Sequence, residues 1–375
     1  MGQGRTQEKL SKHGQVHGLA DKQGTPDHKI DIAPEILAIE QLLTDSLMQM
    51  NGGCGLILMR NDSILYEKTF GKFSLDSVIP IASASKWLAG ALIMALADDK
   101  KLSIYDPVRK YLPQLPAAFD GITLRHCMAH IAGLQTELSA VRNGALSLAY
   151  TATEIGKIKP RRPPGKGFEY GTVSMQLAGR IAEIASQSSW NTLFVRRIAE
   201  PLGLRHTDFY GLGVTDNPLI AGGARSTGHE YMRFLQMIWH RGIANGRTIV
   251  QPNSIDFMHS AQTGGAPIVL SLTQRSQPRR FGAVPIPETF RDSILLHPIH
   301  KRPLMPGYGI GMWRITDPAT AVLVELHSQG KFGFSPWIDL KHGILGVFAV
   351  RSDLNKVQPT YRTLRTLIDR MLEKE

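Results

Sequence analysis

The sequence predicts an α/β fold of the α+β kind, in which both ends of the chain build one sheet and a mostly helical region is inserted between them. Three observations carry this. Two β-rich runs near the start read as a hairpin. The middle alternates helical patterns with Pro- and Gly-rich loops, and strand-like runs return near the end before a last amphipathic helix. With 375 residues and 42% hydrophobic content, the chain can bury a sizeable core.

In chain order, residues 1–35 are polar and Gly-rich without an apolar pattern, which predicts a mobile tail ahead of one domain over 36–375. Sheet residues are expected within about 36–82 and 306–375. "CGLILMRNDSILYEKTFG" reads as two strands around a turn at Asn61-Asp62-Ser63. From Trp87 to Ala97 the chain is apolar on nearly every side, which suits an enclosed helix ended by Asp98 through Lys101. Thr227 and Glu230 have capping-box spacing, and Tyr231, Phe234, Leu235 and Ile238 form the stripe of the helix that follows. "AVLVELHS" and "ILGVFAVR" read as strands, and Leu364, Leu367, Ile368 and Met371 would dock the last helix on the sheet. Residues 264–306 are Pro-rich and show no sustained period, as functional or disordered segments do.

Composition narrows the function. A net charge of +11 invites a nucleic-acid partner, but the basic residues are scattered, with local clusters only at "KIKPRRPPGKG" and "SQPRR", so none is expected. The longest apolar run, "WLAGALIMALA", is too short to cross a bilayer. The start lacks the apolar centre of a secretory signal, so a soluble protein is expected, cytoplasmic, or periplasmic if the start is truncated. "MGQGRT" fits the myristoylation pattern, which is short enough to arise by chance. Cys54 and Cys127 lie far apart without zinc spacing and are expected as buried thiols. His126 and His130 stand at i, i+4, but no Glu follows as in H-E-x-x-H and no third ligand is evident.

The chemistry-bearing pattern is Ser83-x-x-Lys86, at the start of the enclosed helix. Burial disfavours the ammonium form of a lysine, and a neutral amine one turn from a hydroxyl is a base placed to activate it. A lysine stem packed along a helix with its head in water is the alternative.

Several stretches resemble one family in order and spacing: "IASASKWLAGALIMALADDKKLSIYDPVRKYLP", "ITLRHCMAHIAGL", "PPGKGFEYGTVSMQLAGRIAEI", "EPLGLRHTDF", "AGGARSTGHEYMRFLQMI", "GYGIGMW" and "QGKFGFSPWIDLKHG". Over about residues 36–375 the chain resembles the β-lactamase-related serine hydrolases, in the branch of class C β-lactamases, D-Ala-D-Ala peptidases and β-lactamase-fold carboxylesterases. The resemblance implies an antiparallel sheet flanked by helices. It makes Ser83 the acylated nucleophile, Lys86 its base and Tyr170 a catalytic tyrosine, a phenol whose pKa a neighbouring ammonium would lower.

Two departures bear on substrate. The third motif aligns as Ser328-Gln329-Gly330 after His327, without the usual Lys or His and hydroxyl that hold a substrate carboxylate. Ser328, Gln329 and Gly330 are nonetheless expected at the substrate, with the Lys331 N–H joining that of Ser83 in an oxyanion hole. Thr172 stands where Asn is usual and is expected to alter recognition. The expectation is a carboxylesterase-like enzyme on small neutral esters, with no metal or organic cofactor, and a β-lactamase or D-Ala-D-Ala peptidase/amidase as the alternative. His327, or a basic residue of the 264–306 segment such as Arg279 or Arg280, would supply a missing cation if it reached the site. A binding or sensor protein on the same fold, acylated without turnover, is the rival from another class. The oligomeric state is not readable from the sequence.

Overall fold

The computed structural model describes residues 33–264, 305–317 and 319–374. Residues 1–32 of the tail and 265–304 of the Pro-rich segment, with Arg279 and Arg280, lie outside the described residues, while 33–35 already belong to a helix. Helix α1 (Ala33–Asp45) is followed by strands β1 (Gly53–Arg60) and β2 (Ser63–Gly71). Their turn has two residues rather than three. Asn61 and Asp62 take φ of 50° and 61°, the left-handed pair that suits a tight hairpin, and Ser63 is already in β2.

Two-residue strands β3 (Ile79–Pro80) and β4 (Arg225–Ser226) pair with each other outside the main sheet, as do β5 (Ile243–Ala244) and β6 (Arg247–Thr248). The late strands are β7 (Met305–Tyr308), β8 (Trp313–Thr316), β9 (Leu323–His327), β10 (Ser335–Asp339) and β11 (Ile344–Val350). The main sheet has the order β2-β1-β11-β10-β9-β8-β7, antiparallel throughout. Both chain ends build it, as expected. Its early part is narrower than expected, because residues 33–45 are helix and 79–80 pair elsewhere.

Both faces of the sheet are covered. Along β1, Leu56 and Leu58 pack with Ile39 and Leu43 of α1 and with Leu364, Ile368 and Met371 of the last helix (Leu354–Glu373). Ile57 and Met59 face the larger core around helix α2 (Ser85–Asp98) and the helical insertion. That period-two alternation makes a central strand apolar at nearly every position. Helix α2 is buried from Ser85 to Leu96, which is why it shows no polar stripe. Each buried Leu or Ile there contributes about 2 kcal/mol by area.

Helix Gly228–Trp239 buries Tyr231, Phe234, Leu235 and Ile238 as predicted, but its capping box is only half formed. Thr227 accepts from the Glu230 N–H at 3.1 Å. The Glu230 carboxylate instead takes the N–H groups of Arg205 (2.7 Å) and His206 (3.0 Å) and the Thr207 hydroxyl (2.5 Å), clamping a neighbouring loop.

Candidate active site

Ser83 does not lie in α2 itself. It occupies a one-turn 3-10 helix, Ala82–Ala84, that feeds into it. Ala82 has a φ of 46°, a left-handed value that costs a non-glycine residue about 1 kcal/mol. Three contacts hold the turn in place: Ser85 Oγ donates to the Ala82 carbonyl (2.5 Å), the Ala224 N–H donates to Ser85 Oγ (2.9 Å), and Ser328 Oγ donates to the Ser83 carbonyl (3.0 Å). Ser83 is half-buried at the wall of a cavity of about 720 Å³, facing solvent on one side.

Lys86 sits behind it, 2% exposed, and donates from Nζ to Ser83 Oγ at 3.1 Å and to the Ala221 carbonyl at 2.7 Å. The burial comes from the sequence. Gly90 and Gly311 let α2 and the Ile310 loop meet backbone to backbone, since a Cβ at Gly90 would lie 2.4 Å from the Ile310 carbonyl oxygen. Burial lowers the Lys86 pKa to about 7, with Glu137 raising it and Arg142 lowering it by smaller amounts. The amine is therefore poised between base and acid near neutrality. It also lies 4.6 Å from the centroid of the Tyr170 ring.

Tyr170 is stacked on Trp313 at 5.3 Å and belongs to an aromatic cluster with His130, Phe168 and Tyr308. It shares a hydrogen bond with Ser83, and burial pushes its pKa up to about 12. This corrects the expectation of a lowered phenol pKa. Desolvation outweighs the hydrogen bonds to Ser83 and Trp313, which pull the other way, and the phenol stays protonated at neutral pH.

The third motif divides. Gly330 approaches the nucleophile turn closely: a Cβ there would lie 2.2 Å from the Ile81 carbonyl oxygen. Lys331 and Phe332 line the cavity. Ser328, Gln329 and Gly330 are not among its lining residues, although substrate contact was expected of all three. Ser328 points at the Ser83 backbone, and Gln329, 3% exposed, donates to Ser335 Oγ at 2.9 Å. His327 is 6% exposed within β9 and does not line the cavity either. Thr172 does line it, and its hydroxyl donates to Glu137 Oε2 at 3.1 Å.

The remaining cavity lining includes residues that sequence reasoning missed: Glu137, Leu138, Arg142, Leu219, Phe332 and Leu354. They come from separate loops, the one-turn helix Ser139–Arg142 and the start of the last helix, so no local spacing marks them. The histidine pair serves two unrelated places. His126 Nδ1 takes the Thr123 N–H at 3.1 Å in a capping box, while His130, at φ 59°, lies 4.7 Å from the Tyr170 ring. Among the described residues no group of three His, Cys, Asp or Glu is placed to hold a metal ion. Cys54 and Cys127 are buried free thiols, both pushed up to about 12. No described helix is long and apolar enough to cross a membrane.

The β-lactamase family profile matches residues 40–353, spanning the sheet, the nucleophile turn and the cavity. The chain belongs to the β-lactamase family. This β-lactamase-family protein is 30% identical to a crystal structure given as a candidate β-lactamase from Bacteroides dorei DSM 17855, covering 90% of this chain and 99% of that one at a TM-score of 0.75. It shares its fold with EstCE1, a hydrolase with promiscuous acyltransferase activity, at 17% identity and a TM-score of 0.70 over 91% and 100% of the two chains. It is 28% identical to the teichoic acid D-alanine hydrolase of Staphylococcus aureus over 53% of this chain and 51% of that protein. The chain spans about a third to a half of the length of the curated relatives it matches first. The family is one of serine hydrolases.

Proposed function

We propose that the protein hydrolyses carboxylic esters through an acyl-enzyme on Ser83, with Lys86 as general base and Tyr170 as a hydrogen-bonding partner that stays protonated. The observation that carries this is the buried Lys86 amine, lowered to about 7, at 3.1 Å from a half-exposed serine on a 720 Å³ cavity. Ser83 Oγ bonds to the ester carbonyl carbon while its proton passes to the neutral Lys86 amine. The oxyanion lies toward the N–H groups of Ser83 and Lys331. As the second residue of its 3-10 turn, Ser83 has an N–H without an acceptor inside that turn. Collapse breaks the bond to the alkoxy group, which leaves as the alcohol with the proton from the Lys86 ammonium. Water then attacks the acyl carbon and gives a proton to Lys86, and the acid departs as Ser83 regains its own.

Leu138, Leu219, Phe332 and Leu354 give the cavity apolar walls, which favours a neutral acyl group. Two similar proteins are named as hydrolases, one with acyltransferase activity as well. One observation favours a second substrate class. The exposed Lys331 side chain lines the cavity, and its ammonium is a cation the third motif lacks. The test is a panel of p-nitrophenyl ester, anilide and penicillin. Ester turnover past one equivalent, at a kcat/KM at least about tenfold above penicillin, supports esterase function; tenfold is ~1.4 kcal/mol. Penicillin hydrolysis that matches the ester and collapses in Lys331→Ala supports the β-lactam alternative. A single acylation without turnover supports a sensor.

A further inference from the structure

We propose that the Glu137–Arg142 ion pair on the cavity wall is a positioning device for the Lys86 proton, its two opposed charges adjusting, on top of burial, the pH at which the Ser83–Lys86 pair becomes active. This rests on the assignment of Lys86 as base. The pair lines the same cavity as Ser83 and Lys86. It is fixed as a two-pronged fork, with Arg142 Nε donating to Glu137 Oε2 at 3.0 Å and Nη2 to Oε1 at 2.9 Å.

The carboxylate takes a further donor at the oxygen that Arg142 Nε holds, from a hydroxyl shared with the Thr136 carbonyl at 3.3 Å. Thr172 Oγ1 donates to Glu137 Oε2, and the Thr172 N–H donates to the Thr136 carbonyl at 2.8 Å. At Gly171 the two segments meet so closely that a Cβ would lie 2.3 Å from that same carbonyl oxygen. The acidic loop is thus tied to the residues directly after Tyr170. Such rigidity contributes little to stability, because the side chains of Arg142 and Glu137 are 55% and 23% exposed and a solvated pair of this kind is worth about 0–1 kcal/mol. Its consequence is electrostatic. Among the other groups around Lys86, His130 is kept neutral by burial and by Lys86 itself, Tyr170 is a protonated phenol, the Ala221 carbonyl is uncharged, and Lys331 stands at the exposed side of the cavity. Glu137 favours the Lys86 ammonium and Arg142 disfavours it. Thr172, in place of the usual amide, supplies the hydroxyl that locks the carboxylate.

The test is the pH dependence of Ser83 labelling by a fluorophosphonate, read as a second-order rate constant by intact mass, which isolates the first covalent step from turnover. Glu137→Gln keeps the shape and loses the charge, so the acidic limb should move to lower pH by about half a unit. Arg142→Gln should move it to higher pH, and Arg142→Glu further still, with plateau rates within a few-fold of wild type. The arginine series leaves Glu137 in place and carries the test alone should Glu137→Gln fail to fold. Limbs that stay put, or that move the same way in the glutamate and arginine variants, overturn the proposal and leave the pair a tether. Failure of the underlying assignment looks different: Lys86→Met would then label at the wild-type rate.

Discussion

Replacing Gly330 by Ala tests how the nucleophile turn and the third motif are fitted together. The added Cβ would lie 2.2 Å from the Ile81 carbonyl oxygen and 3.1 Å from its carbon, both backbone atoms that cannot rotate away. Ordinary contact begins at 3.4 Å, so the two backbones must part by about 1.2 Å. That oxygen also accepts the Ala84 N–H at 3.2 Å, and the Ile81 N–H is bound to the Ala224 carbonyl at 3.0 Å, so the turn cannot yield freely. Movement falls on the spacing between the Ser83 and Lys331 N–H groups. A misplacement of this size costs about 10²-fold in rate, or ~2.7 kcal/mol, and overpacking costs about 1–3 kcal/mol in stability. Ester kcat/KM and a thermal melt measure both. A variant within threefold of wild-type activity, with an unchanged melt, would show that the approach is not needed and that the Lys331 N–H does not bind the oxyanion.

Other perturbations address the proton-handling groups and the fold. Tyr170→Phe removes the hydrogen bond to Ser83 and should lower kcat by about tenfold, the ~1.4 kcal/mol of one hydrogen bond, with KM little changed; a fall in melting temperature alone would make it a packing residue. Because Lys86 must be neutral to act, kcat/KM should fall below about pH 7 by tenfold per unit, and a flat profile from pH 5 to 8 would contradict it as the base. Asp369 is on the buried face of the last helix with its pKa raised to about 8 by burial, so the stability it lends as a neutral acid is complete below pH 4 and is lost as pH rises toward 8. Asp369→Asn should therefore melt progressively higher than wild type between pH 5 and 8, with the gap constant above; a gap independent of pH would refute this.

Much of the frame was legible because local physics decides it. The Asn61-Asp62 turn, the enclosed α2 and the stripes of the two amphipathic helices are each written within one stretch of chain. Strand β10 was not, because Pro336 and Asp339 argue against a central strand. It is central nonetheless, paired with β11 on one side and β9 on the other, and Asp339 closes it in a local turn by accepting from the His342 ring and from the Lys341 and His342 N–H groups. In the site, Ser83 and Lys86 were legible because their relation spans one turn. Glu137, Arg142 and the apolar walls were not, since a cavity joining distant loops leaves no period in the sequence. The direction of the Tyr170 shift also needed the fold, because it depends on how deeply the phenol is buried.

The central claim is that Ser83 carries the acyl group and Lys86 activates it. Quenching the enzyme in acid during turnover of a p-nitrophenyl ester, then mapping the modified peptide by mass, tests it directly. The account predicts one acyl group on the peptide containing Ser83, no such adduct in Ser83→Ala at an unchanged melting temperature, and acylation slowed by at least about 10³-fold in Lys86→Met. An acyl group on another residue, or Ser83→Ala turning over ester within a few-fold of wild type, would contradict it.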